Sequence, residues 1–429
     1  MPRPKRAWWS HCDHRSLTTI AAISFAGAYG LMAIGALPLL VTHWASGLAL
    51  GEQSAGLIAA ANVTGATLGL AVCLWLVTRL PLPTIATIGV LVAVLGDLSS
   101  LVAPGTASLC GTRLISGFGM GLVSASVTNW IARHEDSGSG FGMLMLFQFL
   151  MTSALLFIVP PLQTLIGPST IYLCLLTAGL ITLIFIPLMN LNGGATPLLR
   201  QTKPRPMAPR HARLSSLAIA AGCAVAGQAL FELAGIGIWT YEHRFGVASG
   251  LSESRAAELL ALATLMGIPA SLVVIWVGNR FGRLMPILIG LAGYAIPAIC
   301  FALREPSPLG YMLGLGAMNA AWCFVIPYFQ AAQSALDRSG RTAIAGVLVA
   351  SLAGSIGPVL LGTAISGTNF APLFILATII LALSTAAAIP AGIAADRVKD
   401  GTDDEQATRA DFARRKHDIE FADHGSKAA

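Results

Sequence analysis

Three ionisable residues of this 429-residue chain lie inside long apolar stretches, where they can do chemistry. Arg113 lies in the run 107–131, Asp97 near the end of the preceding run, and Glu232 within a later one. A guanidinium at membrane depth is costly and is by default a functional-site hypothesis. It can bind a carboxylate bidentately. A carboxyl group in such a place can bind and release a proton, as proton coupling requires.

The composition places these residues in a membrane protein. The chain is 55% hydrophobic and 11% charged, whereas soluble domains carry about 25% charged residues. Apolar stretches of about 18 residues or more recur along the chain, which is typical of transmembrane helices. We predict an all-α membrane protein with twelve spans, at 17–42, 54–78, 84–103, 107–131, 141–165, 169–190, 216–241, 255–277, 284–303, 309–333, 342–366 and 370–394.

A long polar and basic link divides these spans into two sets of six. We predict a first six-helix bundle at 1–190, a cytoplasmic linker at 191–214, a second bundle at 215–394 and a cytoplasmic tail at 395–429. Short links join the other spans. The seven cysteines are scattered and form no Cys-x-x-Cys pair. We therefore predict no metal site and no cofactor apart from a coupling proton.

The basic residues predict the orientation. In this topology, 22 of the 26 lysines and arginines fall on the side that holds both termini, and three fall on the other side. The positive-inside rule then makes both termini cytoplasmic. We expect a monomeric, multi-pass protein in a bacterial inner membrane, in contact with lipid. The net charge of +6 reflects this topology, so it does not indicate a nucleic-acid partner.

The two halves match each other at an offset of 201 residues. Glu52 aligns with Glu253, and the same offset pairs Trp75 with Trp276, Arg79 with Arg280 and Asp136 with Asp337. The common offset predicts an internal repeat. Halves repeated about an axis along the membrane normal place a substrate site at their interface, near the midplane. We interpret the two glutamates as helix N-terminal acids that complement the helix dipole.

Three glycines follow Arg113 on the same helix. Gly117, Gly119 and Gly121 leave two turns of this helix without side chains, so another backbone can approach closely. We predict that this helix borders a moving pathway.

Three stretches of the chain resemble the major facilitator superfamily, over residues 17–394. Arg113-Leu-Ile-Ser-Gly117-Phe-Gly119-Met-Gly121 is similar to its Arg-x-x-x-Gly-x-Gly-x-Gly motif. Gly278-Asn279-Arg280-Phe281-Gly282-Arg283 resembles the family signature between spans eight and nine, with Asn279 where the family usually has Asp. Gly357 and Pro358 resemble the Gly-Pro motif of drug antiporters, which those proteins carry in span five.

The resemblance implies a fold of two pseudo-symmetric bundles and roles for particular residues. The glycines after Arg113, the loop residues Asn279, Arg280, Gly282 and Arg283, and Gly357 with Pro358 would take part in gating. The corresponding loop of the first half keeps only Arg79, so the cytoplasmic gate would be weaker or built differently here. Spans one, four, seven and ten would line the central cavity, with the candidates Tyr29, Arg113, Gln228, Glu232, Asn319 and Trp322.

These side chains also have simpler explanations. Tyr29 and Trp322 could be interfacial or packing residues, and Gln228 and Asn319 could bond across helices. Glu232 is the one carboxylate within the four cavity spans as predicted. Either it couples transport to protons or it forms a permanent ion pair with Arg113.

Asp97 is the competing partner of Arg113. Each lies about six residues from the same membrane surface, or roughly 9 Å deep, on spans joined by a short link. A permanent pair would make Arg113 structural, whereas protonation of Asp97 would free Arg113 for an anion.

The chain is thus predicted to be a proton-coupled secondary transporter that works by alternating access. Its substrate is expected to be a small organic solute, with a carboxylate favoured because of Arg113. Efflux of an amphipathic drug-like compound is the alternative. A polytopic membrane enzyme is more distant, because the outer loops are short and carry isolated acids such as Glu52, Glu242 and Glu305.

Overall fold

The computed structural model describes residues 14–132, 137–190, 214–278, 280–336 and 341–426. Its helices include twelve that are long and apolar enough to cross a membrane, which confirms the predicted number. Span one consists of His14–Gly35, Leu37–Thr42 and a π-helical turn at His43–Gly47. Spans two to six are Gly51–Leu76, Leu82–Ser100, Thr106–Ala132, Ser137–Ile166, and Thr170–Phe185 with a 3-10 turn at Ile186–Asn190.

The second half follows the same plan. Span seven is Leu214–Ala248, and span eight consists of Glu253–Thr264 and Gly267–Val277, separated at Leu265 and Met266. Spans nine to twelve are Leu284–Leu303, Pro308–Leu336, Arg341–Gly362 and Ala371–Ser426.

The spans pack as two bundles of six. The densest packing joins spans two, three and four in the first half, and spans seven, eleven and twelve in the second. Between the halves, span two packs against span eleven, span five against span eight, and the end of span one against span seven. The fold is therefore the predicted all-α membrane architecture of two six-helix bundles.

The outer surface of the spans is apolar, as a lipid environment requires. Leu91, Leu95 and Leu98 of span three are 54%, 58% and 54% exposed. Inside the bilayer, backbone polar groups must be satisfied within each segment, and only a helix does this for a single span.

Two faces of the molecule are needed to locate the site. We call the face where span one begins and span twelve leaves the terminal face, and the opposite face, which holds the link at 48–50, the far face.

Proline interrupts span one just before the far face. The first helix ends at Gly35, and Pro38 lies in the first turn of the short helix that follows. Proline lacks the N–H that would continue the helix ladder, so a new helix begins there. This break redirects the segment that carries Thr42 and His43, both of which are buried.

Several predicted boundaries are wrong near the far face. Span one was predicted to end at 42, but helical turns continue to Gly47. Span seven was predicted to end at 241, but it runs to Ala248, so Glu242 lies in a helix and not in an outer loop. The last helix continues to Ser426, through most of the predicted tail. Residues 191–213 of the predicted linker lie outside the described ranges.

Candidate functional site

Arg113 is fully buried inside the first bundle, where each of its three guanidinium nitrogens donates a hydrogen bond. Nη1 donates to Asp97 Oδ1 at 2.5 Å, in an ion pair with no exposed side-chain surface. Nε and Nη2 donate to Asn62 Oδ1 at 3.1 and 3.0 Å, and Nη2 also reaches Ser116 Oγ at 2.9 Å. The buried charge is thus balanced by Asp97, and each guanidinium nitrogen has an acceptor, as a buried ion requires.

This cluster, which we call the arginine knot, consists of Asn62, Asp97, Arg113 and Ser116. Ser116 donates to Asp97 Oδ1 at 2.7 Å, and Asn62 donates to the Ala33 carbonyl of span one. The knot therefore ties spans one to four together. Asp97 and Arg113 were predicted to lie at the same depth on helices joined by a short link. Their contact agrees with that prediction.

The structure places Arg113 inside the first bundle, and its predicted role in substrate binding stays a prediction. Its exposed fraction is 0%, and its hydrogen bonds all remain within the first bundle. The pairing question left open between Asp97 and Glu232 is answered by the contact with Asp97. Sequence reasoning missed Asn62 and Ser116. Ser116 follows Arg113 by three residues, so it shares a helix face with it, and that spacing could have identified it.

Tyr29 also lies inside the first bundle and not in the predicted central cavity. Its exposed fraction is 0%, and its hydroxyl, which has no hydrogen-bond partner in the described structure, lies against Gly179 of span six. A side chain added at Gly179 would come within 2.7 Å of that hydroxyl. The predicted substrate contact of Tyr29 stays a prediction, since the residue packs within the first bundle in this structure.

The glycines after Arg113 face two different helices. A Cβ at Gly117 or Gly121 would collide with the Asn62 or Ala66 carbonyl of span two. A Cβ at Gly119 would collide with the backbone of span three at Gly89 and Ala93. These glycines permit close packing within the first bundle. The close backbone approach predicted at these glycines is present, on two sides of the helix, and their role beside a moving pathway stays a prediction.

Glu232 lies between spans seven and ten, where the predicted central residues meet. Its exposed fraction is 8%, and Trp322 Nε1 donates to its Oε2 at 3.3 Å. One turn earlier, Gln228 Oε1 accepts from Gln333 Nε2 at 2.7 Å, a partner that the sequence did not reveal. Asn319 is half-buried and donates to the Leu315 carbonyl of its own helix. Glu232, Gln228 and Trp322 thus lie together between spans seven and ten, whereas Asn319 is hydrogen-bonded within its own helix.

Contacts near the far face join the two halves. Arg244 forms an ion pair with Glu52 at 2.5 Å and donates to Ser46 Oγ. Tyr241 donates to the Glu52 carbonyl of span two at 3.3 Å, and the Thr42 and His243 side chains are hydrogen-bonded at 2.8 Å. We call these six residues, Thr42, Ser46, Glu52, Tyr241, His243 and Arg244, together with their contacts, the far-face latch. These contacts hold the two halves together near the far face.

Further contacts between the halves lie deeper on the same side. Trp239 of span seven donates to the Ile34 carbonyl at 2.9 Å, and Ser153 of span five donates to the Ala261 carbonyl of span eight at 2.8 Å.

Gly357 and Pro358, which the resemblance placed in gating, contact span seven. A Cβ at Gly357 would collide with the Leu233 carbonyl, and the Pro358 carbonyl accepts from Tyr241 of the latch. These two residues therefore let span eleven pack closely beside the latch.

On the terminal face, the loop before span nine is bound to span twelve. Asp396 Oδ1 accepts from the Arg283 backbone N–H at 2.7 Å, and Oδ2 from that of Leu284 at 3.2 Å. Gly282 has a φ of +72°, and a Cβ there would lie 2.7 Å from the Asp396 carboxylate. The loop is thus anchored within its own half. Asn279 lies outside the described residues.

The aligned tryptophan–arginine pairs form the same contact in both halves. The Arg79 guanidinium lies 3.9 Å from the centre of the Trp75 ring, and that of Arg280 lies 5.6 Å from the Trp276 ring. Both are cation–π contacts, which agrees with the predicted repeat. Among the described residues, no group of three or more His, Cys, Asp or Glu side chains could hold a metal.

Comparisons with known proteins agree with this architecture. The family model of the Major Facilitator Superfamily matches residues 17–358. A sequence comparison with curated proteins finds no match.

The fold is similar to several solved transporters. A peptide transporter, POT, in complex with sulfate is 15% identical, with a TM-score of 0.70 over 92% of this chain and 97% of that one. A bacterial homolog of the human lysosomal transporter Spinster is 13% identical, with a TM-score of 0.64 over 90% and 98%. The nucleoside transporter NupG is 12% identical, with a TM-score of 0.65 over 87% and 99%. At such low identity these likenesses show the fold alone, whereas the family model covers most of the sequence. The chain therefore belongs to the Major Facilitator Superfamily of membrane transporters.

Proposed function

We propose that this transporter moves a small organic solute together with protons, by alternating access between its two bundles. It would act as a monomer in a bacterial inner membrane. The excess of basic residues on the terminal face supports a cytoplasmic position for that face and for both termini.

The carboxyl group of Glu232 carries the proposal. It is buried between spans seven and ten, takes part in none of the ion pairs formed by the described residues, and has Trp322 Nε1 as its hydrogen-bond donor. A buried carboxylate without a cation is costly. A proton is therefore the natural counter-charge for Glu232, and it can be exchanged when the site opens to water.

Asp97 is the second proposed proton site. Its Oδ1 accepts from Arg113 and Ser116, whereas its buried Oδ2 has no hydrogen-bond partner in the described structure. A proton on Oδ2 would weaken the ion pair with Arg113 and free the guanidinium for an anion. On this argument, carboxylates are the first substrate class to test.

The position of the far-face latch supports the proposed cycle. The halves are held together near the far face by Glu52, Arg244 and their neighbours. The central residues would then exchange with the terminal face, which is the cytoplasm in the proposed orientation. One of the structures with a similar fold is described as inward-facing and unoccupied.

Efflux of an amphipathic cationic compound is the second candidate. The observation that favours it is the pairing of Glu232 with the half-buried indole of Trp322, while Arg113 is held in the arginine knot. A carboxylate beside an aromatic ring suits an organic cation better than an anion.

Uptake into proteoliposomes under an imposed pH gradient tests the proposal. The panel would contain carboxylates, dipeptides, nucleosides, sugars and lipophilic cations. We expect gradient-driven movement of one class, and we expect Glu232→Gln to retain substrate exchange but lose accumulation, because glutamine cannot carry the proton.

The control is Glu258→Gln, which alters an exposed ion pair with Arg255 and should leave accumulation unchanged. Full accumulation by Glu232→Gln would refute the coupling role. If lipophilic cations were the only class to accumulate, the result would support efflux of a cation and contradict import of a carboxylate.

A further inference from the structure

His243 connects the two halves through hydrogen bonds at both ring nitrogens. It lies in span seven and is 1% exposed. Its Nδ1 lies 2.8 Å from Thr42 Oγ1 of span one, and its Nε2 lies 2.9 Å from the Glu253 carbonyl oxygen. Thr42 Oγ1 also lies 2.9 Å from the Pro38 carbonyl oxygen.

A count of donors gives this arrangement two complete forms. The Glu253 carbonyl can only accept, so Nε2 carries a hydrogen in either form. The single hydroxyl hydrogen of Thr42 can point to His243 Nδ1, which then accepts, or to the Pro38 carbonyl. In the second case Nδ1 must itself carry a hydrogen, and the imidazole is then an imidazolium. One hydroxyl rotation thus lets the ring take up a proton without losing a hydrogen bond.

A cavity beside His243 has space for water next to the ring. It measures about 50 Å³ and lies between the halves, with Thr42, His43, Gln163, His243 and Glu253 among its lining residues. A water needs about 10–15 Å³ on this measure, so the cavity has room for a few waters. His43 is 5% exposed, and its Nδ1 has no hydrogen-bond partner in the described structure.

The polar and titratable groups described near His243 lie on spans that meet at the far face. Span one supplies His43, whose ring stacks edge-on against Tyr172 of span six. Span two supplies Glu52, which is bound to Arg244 of span seven. Span seven also supplies the buried Glu242, span eight the exposed Glu253, and span five the neutral Gln163. Because Glu52 already neutralises Arg244, no cation is left facing His243 unpaired among these described groups.

We infer that His243 is a proton-binding site at the interface of the two bundles, and that its proton controls how tightly the far face closes. The neutral imidazole and the imidazolium are both hydrogen-bonded at each ring nitrogen in the closed arrangement. The closed arrangement therefore disfavours the imidazolium mainly because it keeps water away from the charge. When the halves separate, the ring gains water, which favours the charged form. Acid should therefore favour the open far face. The inference rests on the alternating-access part of the proposed function, and not on its substrate or on Glu232.

The test measures a distance across the far face and needs no substrate. The seven native cysteines are replaced by serine, and spin labels are placed at Val102→Cys and Leu303→Cys, which are exposed at 81% each, one in each half. Electron–electron double resonance in reconstituted membranes then gives the distance distribution at about pH 8 and pH 5, the range over which histidine titrates. We expect the longer distance to gain several-fold in population in acid, and we expect His243→Gln to abolish this response.

Variants of Thr42 test the same hydrogen bond and keep the inference testable if His243→Gln does not fold. Thr42→Ser keeps the hydroxyl and should keep the pH response, whereas Thr42→Val removes it and should favour the longer distance at both pH values. Glu258→Gln and His43→Gln should respond as the unmodified chain does.

Three outcomes would overturn the inference. These are a distance distribution that does not change with pH, a full response in His243→Gln, or a response lost in His43→Gln alone. Failure of proton-driven uptake with an intact pH response would refute the proposed coupling and leave this site in place.

Discussion

A permanent charge can lie inside a membrane bundle when its surroundings supply an opposite charge and an acceptor for each of its nitrogens. Arg113 does so through Asp97, Asn62 and Ser116, which come from its own span and from the two neighbouring spans. Asp97 balances the charge, and Asn62 and Ser116 occupy the remaining nitrogens. The arginine knot is therefore a stabilising element first, and any release of Arg113 must begin with a proton on Asp97.

Arg113→Lys tests this role. A lysine keeps the positive charge, but its three N–H groups radiate from one atom and cannot serve Asp97, Asn62 and Ser116 in the same geometry. Leaving a buried polar group unsatisfied costs about 1–3 kcal/mol, so we expect a lower melting temperature in detergent.

Arg255→Lys, in the exposed pair with Glu258, is the matched control and should melt as the unmodified chain does. Normal stability of Arg113→Lys with weakened substrate affinity would instead return Arg113 to the substrate site.

At the scale of a helix, span four is built to be approached closely from two sides. Gly117 and Gly121 admit the carbonyls of span two, and Gly119 admits the backbone of span three. Because packing between membrane helices depends on close contact more than on exclusion of water, the glycines help the first bundle to behave as one body.

Gly117→Ala should therefore destabilise the first bundle, because its methyl group would collide with the Asn62 carbonyl. Gly111→Ala on the same helix is the control, since a Cβ there meets nothing within 4 Å. We expect a lower melting temperature and yield for Gly117→Ala, and an unchanged or slightly raised melting temperature for Gly111→Ala. Equal melting temperatures for the two variants would contradict the packing role.

The sequence predicted those features that depend on depth and periodicity. Asp97 was one of two possible partners for Arg113, favoured by the equal depth of the two residues on adjacent spans, and the structure shows that pair. The stacks of Arg79 on Trp75 and Arg280 on Trp276 lie at equivalent positions of the repeat.

Features that depend on the docking of the two halves could not be predicted. Glu52 and Arg244 meet only because span two of one bundle packs beside span seven of the other. The sequence predicts that span seven ends at 241, because the charged residues Glu242 and Arg244 follow, and hydropathy does not separate a polar helical turn from a loop. Asn62 and Gln333 are polar residues in predominantly apolar helices, and only the packing reveals their partners.

At the scale of the whole molecule, the far-face latch sets which side of the interface is closed. The pair of Arg244 and Glu52 is partly buried and crosses between the bundles. Its loss should weaken closure there without disturbing the core of either half.

Arg244→Glu should shift the molecule towards an open far face, because it places two glutamates against each other. An ion pair of this kind contributes about 1 kcal/mol, which corresponds to about a fivefold change in population. The distance between labels at Val102→Cys and Leu303→Cys measures the shift. Adding Glu52→Arg exchanges the charges and should restore the shorter distance. A double variant that stays as open as Arg244→Glu would show that the ion pair does not hold the latch.

The bond between Thr42 and His243 joins two positions that are 201 residues apart, the offset of the predicted repeat. Such positions descend from one ancestral codon if the halves arose by gene duplication. A freshly duplicated protein would have carried the same side chain at both places, so a threonine could not yet have faced a histidine. The bond between Thr42 and His243 could thus form only after the two copies had diverged at this position.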